Sequence, residues 1–556
     1  MLEAASRGRS ARAESVETRR SRWPAALSAG GGALALAAAA LPLVIAAVAI
    51  AVQRPGALSD GDQAADELAL IRSTHFAQLV GNYSRFEWNH PGPAWFYAMD
   101  PFYVPLGGHT WATYVAVLAL HAVIAALVVA AVWRWAGPLV ALVTAGLVLL
   151  YVRTLGESVF RFFWPPYSVM LPMLLLFVLA AAGAAGSTPA LVGALIAGSY
   201  VVQLHVGTVP IVGAVIVAMV AIRLATRSLG EPAATGPAAR FLRPALTAGG
   251  GGVLVLMWVP VAVDELTGHP GNLTKLFEFF RTPHEPHPYG AAVSALGRLL
   301  EVSPLRDFPT TFGPESAAVP PSRLLAVLAF AAASAALAAL ALRLRDRFAL
   351  ALGLLLVLAL PVVTVAITRI VGPLYPYLLV WVTTLPLLLA VGWTALVARA
   401  RPWARAPRPL AGAVAAALCV AVVALAAGRT AGFERLPPAL GDQADPETAA
   451  AWAITEAALA SEPRRSVRVV VADDRWIMAS GLVLQLQKQG WTVTADRDHA
   501  FIWGSQTEPT GTEAVELVVV SAGGAPGLER QRPDLRPISH TADAELLVGH
   551  APGAGS

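Results

Sequence analysis

The chain is 556 residues long, 56% of them apolar and 14% charged, with a formal net charge of +4. Soluble domains run at about 45–50% apolar and about 25% charged. This composition therefore excludes a disordered chain and argues against a single soluble globule. The apolar surplus lies in long runs, as in a polytopic membrane protein.

The chain begins with an arm, residues 1–24, that carries Arg7, Arg9, Arg12, Arg19, Arg20 and Arg22. A membrane span needs about 20 apolar residues. Eleven runs approach that length: 27–52, 109–133, 138–152, 167–185, 189–203, 207–224, 245–263, 323–342, 348–368, 374–397 and 409–428. The third and fifth are short, as for tilted or partly re-entrant helices. The first run is too long for the core of a signal peptide, and Gln53-Arg54-Pro55 after it is a poor cleavage site.

Arginine placement gives the orientation. With the arm in the cytoplasm, Arg134, Arg223, Arg227, Arg240 and Arg243 fall on the same side. Arg343, Arg345, Arg347, Arg399, Arg401, Arg405 and Arg408 do so too. The positive-inside rule asks for this bias. An odd number of spans sends the C-terminal region outside. The expected division is a cytoplasmic basic arm at 1–24, a transmembrane domain at 25–428 and an extracytoplasmic domain at 429–556.

Two outer loops are large, 53–108 and 264–322, which suggests an extracytoplasmic site over a helical bundle. Beyond residue 428 a small α/β unit is expected. Val467–Val471, Trp491–Thr494 and Val515–Val520 read as strands, and Arg475–Gln489 as a helix closed by Gly490. The last 25 or so residues read as loosely ordered. This unit shows no phosphate-binding glycine loop, no catalytic triad spacing and no basic stripe for nucleic acid. The one cysteine, Cys419, allows neither an intrachain disulfide nor a cysteine metal site.

The first outer loop holds Ser59-Asp60-Gly61-Asp62-Gln63, then Asp66-Glu67. From Gln63 onward the pattern fits an amphipathic helix lying on the membrane. Asp62 and Asp66 then share a face, with Glu67 beside them. Acids so near the bilayer are desolvated, which raises their pKa and suits a general base. An equally simple reading makes Asp60 or Asp62 the N-cap of that helix. Asp60-Gly61-Asp62 also has the Asp-X-Asp form of a possible divalent-metal site.

Further along, Arg85-Phe86-Glu87-Trp88-Asn89-His90-Pro91-Gly92-Pro93 places a cation and an imidazole among aromatics and rigid turns. Such a segment can hold a phosphate head group and a sugar ring, or serve as an interfacial aromatic belt with snorkelling arginine. His205 lies between two spans. Arg281 and Arg369 are further outer-face cations, for phosphate or for snorkelling. His284 and His287 are separated by prolines that break any regular helix, so the two rings need not share a face. Asn82-Tyr83-Ser84 and Asn272-Leu273-Thr274 match glycosylation sequons and read as chance.

An acidic pair just after the first span, followed by His-Pro-Gly-Pro and aromatics before the second, resembles the GT-C superfamily of membrane glycosyltransferases. The likeness is greatest to the branch of protein O-mannosyltransferases and lipid A aminoarabinose transferases. Phe163-Trp164-Pro165-Pro166-Tyr167, Gln203-Leu204-His205-Val206-Gly207, Trp258-Val259-Pro260 with Gly271-Asn272-Leu273, and Gly372-Pro373-Leu374-Tyr375-Pro376-Tyr377 are also similar. The likeness covers roughly 25–430.

The resemblance implies an all-helical membrane bundle with outer-face helices. It implies a polyprenyl-phosphate-linked sugar as donor and an acceptor hydroxyl on a glycan, lipid or protein. Asp62, or else Asp60, is the implied base. Arg85, His90, His205, Arg281, Arg369 and Glu67 are the candidates to bind donor phosphate or sugar. Family members often carry a basic residue in the turn before the second span, and His90 takes that place here. Two rival readings stand beside it: a transporter or lipid flippase, and a non-catalytic membrane scaffold presenting the C-terminal domain.

Overall fold

In the computed structural model, described residues are 30–56, 58–226, 237–301, 308, 312, 318–400, 408–436, 446–540 and 544–551. The basic arm lies outside them. Ten helices there are long and apolar enough to cross a membrane, from Gly30–Gln53 to Gly412–Glu434, and Thr188–Leu204 is a shorter apolar one. They correspond to the eleven expected runs. The chain is a multi-pass membrane protein.

Local chemistry explains the helix ends. Ser187 opens the Thr188–Leu204 helix by accepting from the Ala190 amide, and Asp346 opens Arg347–Thr368 by accepting from Ala349. Proline stands in the first turn of several helices, among them Pro138–Leu155 and Pro321–Arg343. Its missing N–H costs nothing there. Small residues let helices approach closely: a Cβ on Gly353 would lie 2.8 Å from the Ala338 amide.

Polar contacts tie together the end of the bundle where the arginines gather. Arg223 donates to the Gly183 carbonyl at 2.9 Å, Arg347 donates to Thr226 O, and Arg399 lies 3.4 Å from Asp346. The opposite end carries the C-terminal domain.

Among the described residues the strands of that domain are β1 (Ser466–Val471), β2 (Thr492–Ala495), β3 (Val515–Ser521), β4 (Arg536–His540) and β5 (Ala544–His550). They form one sheet in the order β2-β1-β3-β5-β4. β1 pairs in parallel with β2 and β3, while β5 runs antiparallel to both β3 and β4. β4 and β5 correct the expectation of a loose tail. β4 is an edge strand with a register shift at Pro537–Ser539, and such a strand shows no clean alternation in sequence.

A second correction concerns the first outer-loop helix, Gly61–Ser73. It does not lie on the lipid surface. Ala64, Ala65 and Leu68 enter the core of the C-terminal domain, while Ala69 and Leu70 join the core of the membrane bundle. One short helix is thus sandwiched between two hydrophobic cores. Its weak amphipathicity follows, since both faces are covered.

Candidate functional site

The site begins at the start of this helix. Asp60 occupies the N-cap position, but its carboxylate makes no capping bond. It accepts from Thr448 Oγ1 of the C-terminal domain at 3.4 Å instead. Gly61 takes φ +47°, a left-handed entry that favours glycine, and a Cβ there would meet Ile477 at 3.3 Å.

Asp62 follows in the first turn, where it accepts a hydrogen bond from the Tyr83 hydroxyl. Burial raises its pKa above the ordinary carboxylate value, and hydrogen bonds from Tyr83 and Trp164 offset part of that rise. Tyr83 is held in turn by edge-on contacts with Trp476 and Phe501, both 6.2 Å between ring centroids. The C-terminal domain therefore orients the group that hydrogen-bonds Asp62.

Asp60 and Asp62 line a cavity of about 460 Å³ together with Arg161, Phe162, Trp164 and Tyr167. Its wall is aromatic: Trp164 lies 5.1 Å from Tyr167 and 4.8 Å from Tyr377, ring to ring. A carboxylate base, a guanidinium and aromatic faces in one hollow can bind a sugar phosphate and take a proton from a hydroxyl.

Arg161 and Tyr83 are absent from the sequence-based candidates. Arg161 ends the short Glu157–Arg161 helix in what reads as an outer turn. The signal was there: Arg161-Phe162-Phe163-Trp164-Pro165-Pro166 repeats the cation–aromatic–proline pattern of Arg85–Pro93.

Arg85 lies near the same wall. It is exposed, donates to the Val371 carbonyl at 3.1 Å and sits 4.9 Å over the Phe86 ring. Tyr377 lies within electrostatic reach of both Arg85 and Asp62. Glu67 is elsewhere. It is fully buried and paired with Lys488 of the C-terminal domain. It also accepts from Tyr103 at 3.2 Å, Thr110 at 3.3 Å and Ser59 at 3.3 Å. It does not line the cavity. Five residues along a helix turn about 140° from Asp62, which sends Glu67 to another face.

His90 has a positioning environment. Its Nδ1 accepts from the Val206 amide at 3.0 Å, which leaves the Nε2–H tautomer as a donor. Desolvation, then the neighbouring His205, pushes its pKa well below the ordinary value. The imidazole is thus neutral and carries no charge for a phosphate. His205 is buried and stacks on His90 at 5.2 Å between centroids.

The His-Pro-Gly-Pro turn is clamped from two sides. Gln203 Oε1 accepts from the Ala94 amide at 3.1 Å, and a Cβ on Gly92 would come within 2.4 Å of that oxygen. Asn272 exchanges two bonds with the backbone of Asn89, at 2.8 and 2.9 Å. The side chain of that sequon is therefore a structural bracket.

Arg281 and Arg369 are exposed and lie outside the cavity lining. His287 Nε2 donates to the Gly372 carbonyl at 2.9 Å, while His284 packs on Phe279 at 4.6 Å. Among the described residues no three His, Cys, Asp or Glu side chains form a metal-binding group.

No protein-family model matches the chain, and no curated protein matches it. Among solved structures it is similar to ArnT from Cupriavidus metallidurans bound to undecaprenyl phosphate. The likeness covers 94% of this chain and 98% of that one, with a TM-score of 0.54 and 16% identity. The chain thus shares the fold of ArnT: an apolar helical bundle capped by a small sheet domain.

Proposed function

We propose that the chain is a membrane glycosyltransferase that takes a sugar from a polyprenyl-phosphate donor and gives it to an acceptor hydroxyl. The observation that carries this reading is the meeting of Asp62 and Arg161 in one aromatic-walled cavity, at the end of the bundle capped by the C-terminal domain. The fold shared with ArnT, whose structure holds undecaprenyl phosphate, supports the donor class. The arginine bias supports an extracytoplasmic position for that end and a cytoplasmic N-terminus. Cell-envelope glycans, lipids or proteins are the acceptors within reach.

In this mechanism the acceptor oxygen attacks the anomeric carbon in line with the departing phosphate. A new C–O bond forms as the bond to the phosphate oxygen breaks. The proton of the acceptor hydroxyl passes to Asp62. The electron pair leaves with polyprenyl phosphate, and the Arg161 guanidinium stabilises the developing charge. Arg85 holds the phosphate at the cavity rim. His90 and His205 orient the turn that carries this rim. A single displacement inverts the anomeric centre.

A transporter would set its polar groups near mid-membrane in broken helices, whereas the acids and the arginine here lie together at one end. A scaffold needs no such hollow. The test is transfer of labelled sugar from a panel of polyprenyl-phosphate sugars by membranes holding the protein, with and without a chelator. Transfer that depends on the protein supports the proposal. Its absence from every donor overturns it, and a loss on chelation adds a divalent ion to the site.

A further inference from the structure

One turn beyond Asp62 on the same helix stands a second carboxyl, Asp66, for which the mechanism has no use. It is 2% exposed. Its Oδ2 is sealed from solvent and has no hydrogen-bond partner among the described residues. Residues four apart face the same way, and Asp62 acts electrostatically on Asp66.

The surrounding charges are committed elsewhere. Lys488 pairs with Glu67, and Tyr103 hydrogen-bonds Glu67 as well. Arg72 donates to Gln78 and to the Trp503 carbonyl, and Ser73 holds Asp100. Tyr83 donates its hydroxyl hydrogen bond to Asp62. Arg475, at the start of the helix packed on this one, binds Ser521, and His499 binds Asp496. Among the described residues no cation is left to pair with a carboxylate in such a place, and burial keeps it from bulk solvent.

We propose that Asp66 is a positioning residue for the base: it stands protonated and leaves the charge on Asp62, so that the pair carries a single negative charge. Burial, then the Asp62 charge, both push Asp66 in the neutral direction. Two carboxyls at one site lose their protons in separate steps for the same reason. The single charge matters for the substrate. A polyprenyl-phosphate sugar is itself an anion, and a doubly charged pair would repel it from the cavity. With Asp66 neutral, Asp62 remains free to accept the acceptor proton, and the pair becomes uncharged once it has done so.

The role rests on the proposed transfer reaction, but the protonation state is read without it. Infrared spectra of the full-length protein in nanodiscs at pH 7 are recorded for wild type, Asp62→Asn and Asp66→Asn. A deuterium-sensitive neutral-carboxyl band, present in wild type and Asp62→Asn and lost in Asp66→Asn, is expected. Asp66→Leu serves as the second carboxyl-free variant should the amide not fold. Absence of that band overturns the proposal, whatever the transfer assay gives. In the transfer assay, wild type should show a bell-shaped pH profile. Asp66→Asn, a permanently neutral isostere, should keep the acid limb and lose the alkaline one. An unchanged alkaline limb in Asp66→Asn overturns the positioning role. A band without any transfer leaves Asp66 neutral and overturns the transfer reading alone.

Discussion

Lys488 of the C-terminal domain forms an ion pair with Glu67 on the helix that carries Asp62. Glu67 is 0% exposed at its side chain and Lys488 19%. Removing one partner of a buried pair strands the other, at a cost of about 3–5 kcal/mol. Lys488→Met should therefore lower the melting temperature of the purified protein. It should also make the junction between the domains sensitive to protease. The double variant Lys488→Met/Glu67→Gln should recover most of the loss, because no charge is left unpaired. A melting temperature unchanged in the single variant would contradict this.

Arg161 is the guanidinium in the cavity lining, whereas Arg281 and Arg369 are exposed outside it. A lost charge-assisted bond to the phosphate is worth about 1.5–3 kcal/mol, or roughly 10- to 100-fold. Arg161→Gln should reduce kcat/KM for the donor by that factor. Arg281→Gln and Arg369→Gln should stay within about twofold, as checked by initial rates at low donor concentration.

The pH profile of transfer follows from Asp62. Its folded pKa is raised by burial, and a base works only when ionised. Activity should therefore be lost as pH falls through a midpoint above the ordinary aspartate range. Tyr83→Phe removes a hydrogen bond that lowers this pKa. The acid limb should then move to higher pH, by up to about one unit. The phenyl ring keeps its packing on Trp476 and Phe501. A limb that stays put, or moves down, would disprove the assignment.

His90 is neutral and accepts from the Val206 amide. His90→Arg puts a permanent cation in that turn, yet it removes the acceptor and cannot fit the stack on His205. Transfer and melting temperature should both fall. A gain in transfer would show that the turn wants charge.

Much of this was legible in the sequence, for identifiable reasons. The spans are readable because lipid demands about 20 apolar residues each. Asp60 and Asp62 are readable because they fall just after a span. The burial of the Gly61–Ser73 helix was not readable: its Ala64, Ala65 and Leu68 pack on a domain more than 380 residues later in the chain. The burial of Glu67 was unreadable for the same reason, since its partner Lys488 belongs to that domain. Arg161 was hidden in a short turn, and only folding brings it to Asp62. β4 and β5 escaped because β5 is ordered by pairing with β3, and the edge strand β4 by pairing with β5, rather than by their own patterns.

In the proposed sugar transfer from a polyprenyl-phosphate donor, Asp62 takes the acceptor proton. Initial transfer rates of wild type and Asp62→Asn, compared at equal membrane protein level, test this. The amide keeps the shape of the side chain but cannot accept the proton. The rate should fall by about 100- to 10,000-fold, with donor binding retained. Transfer by Asp62→Asn within about threefold of wild type would contradict this role of Asp62.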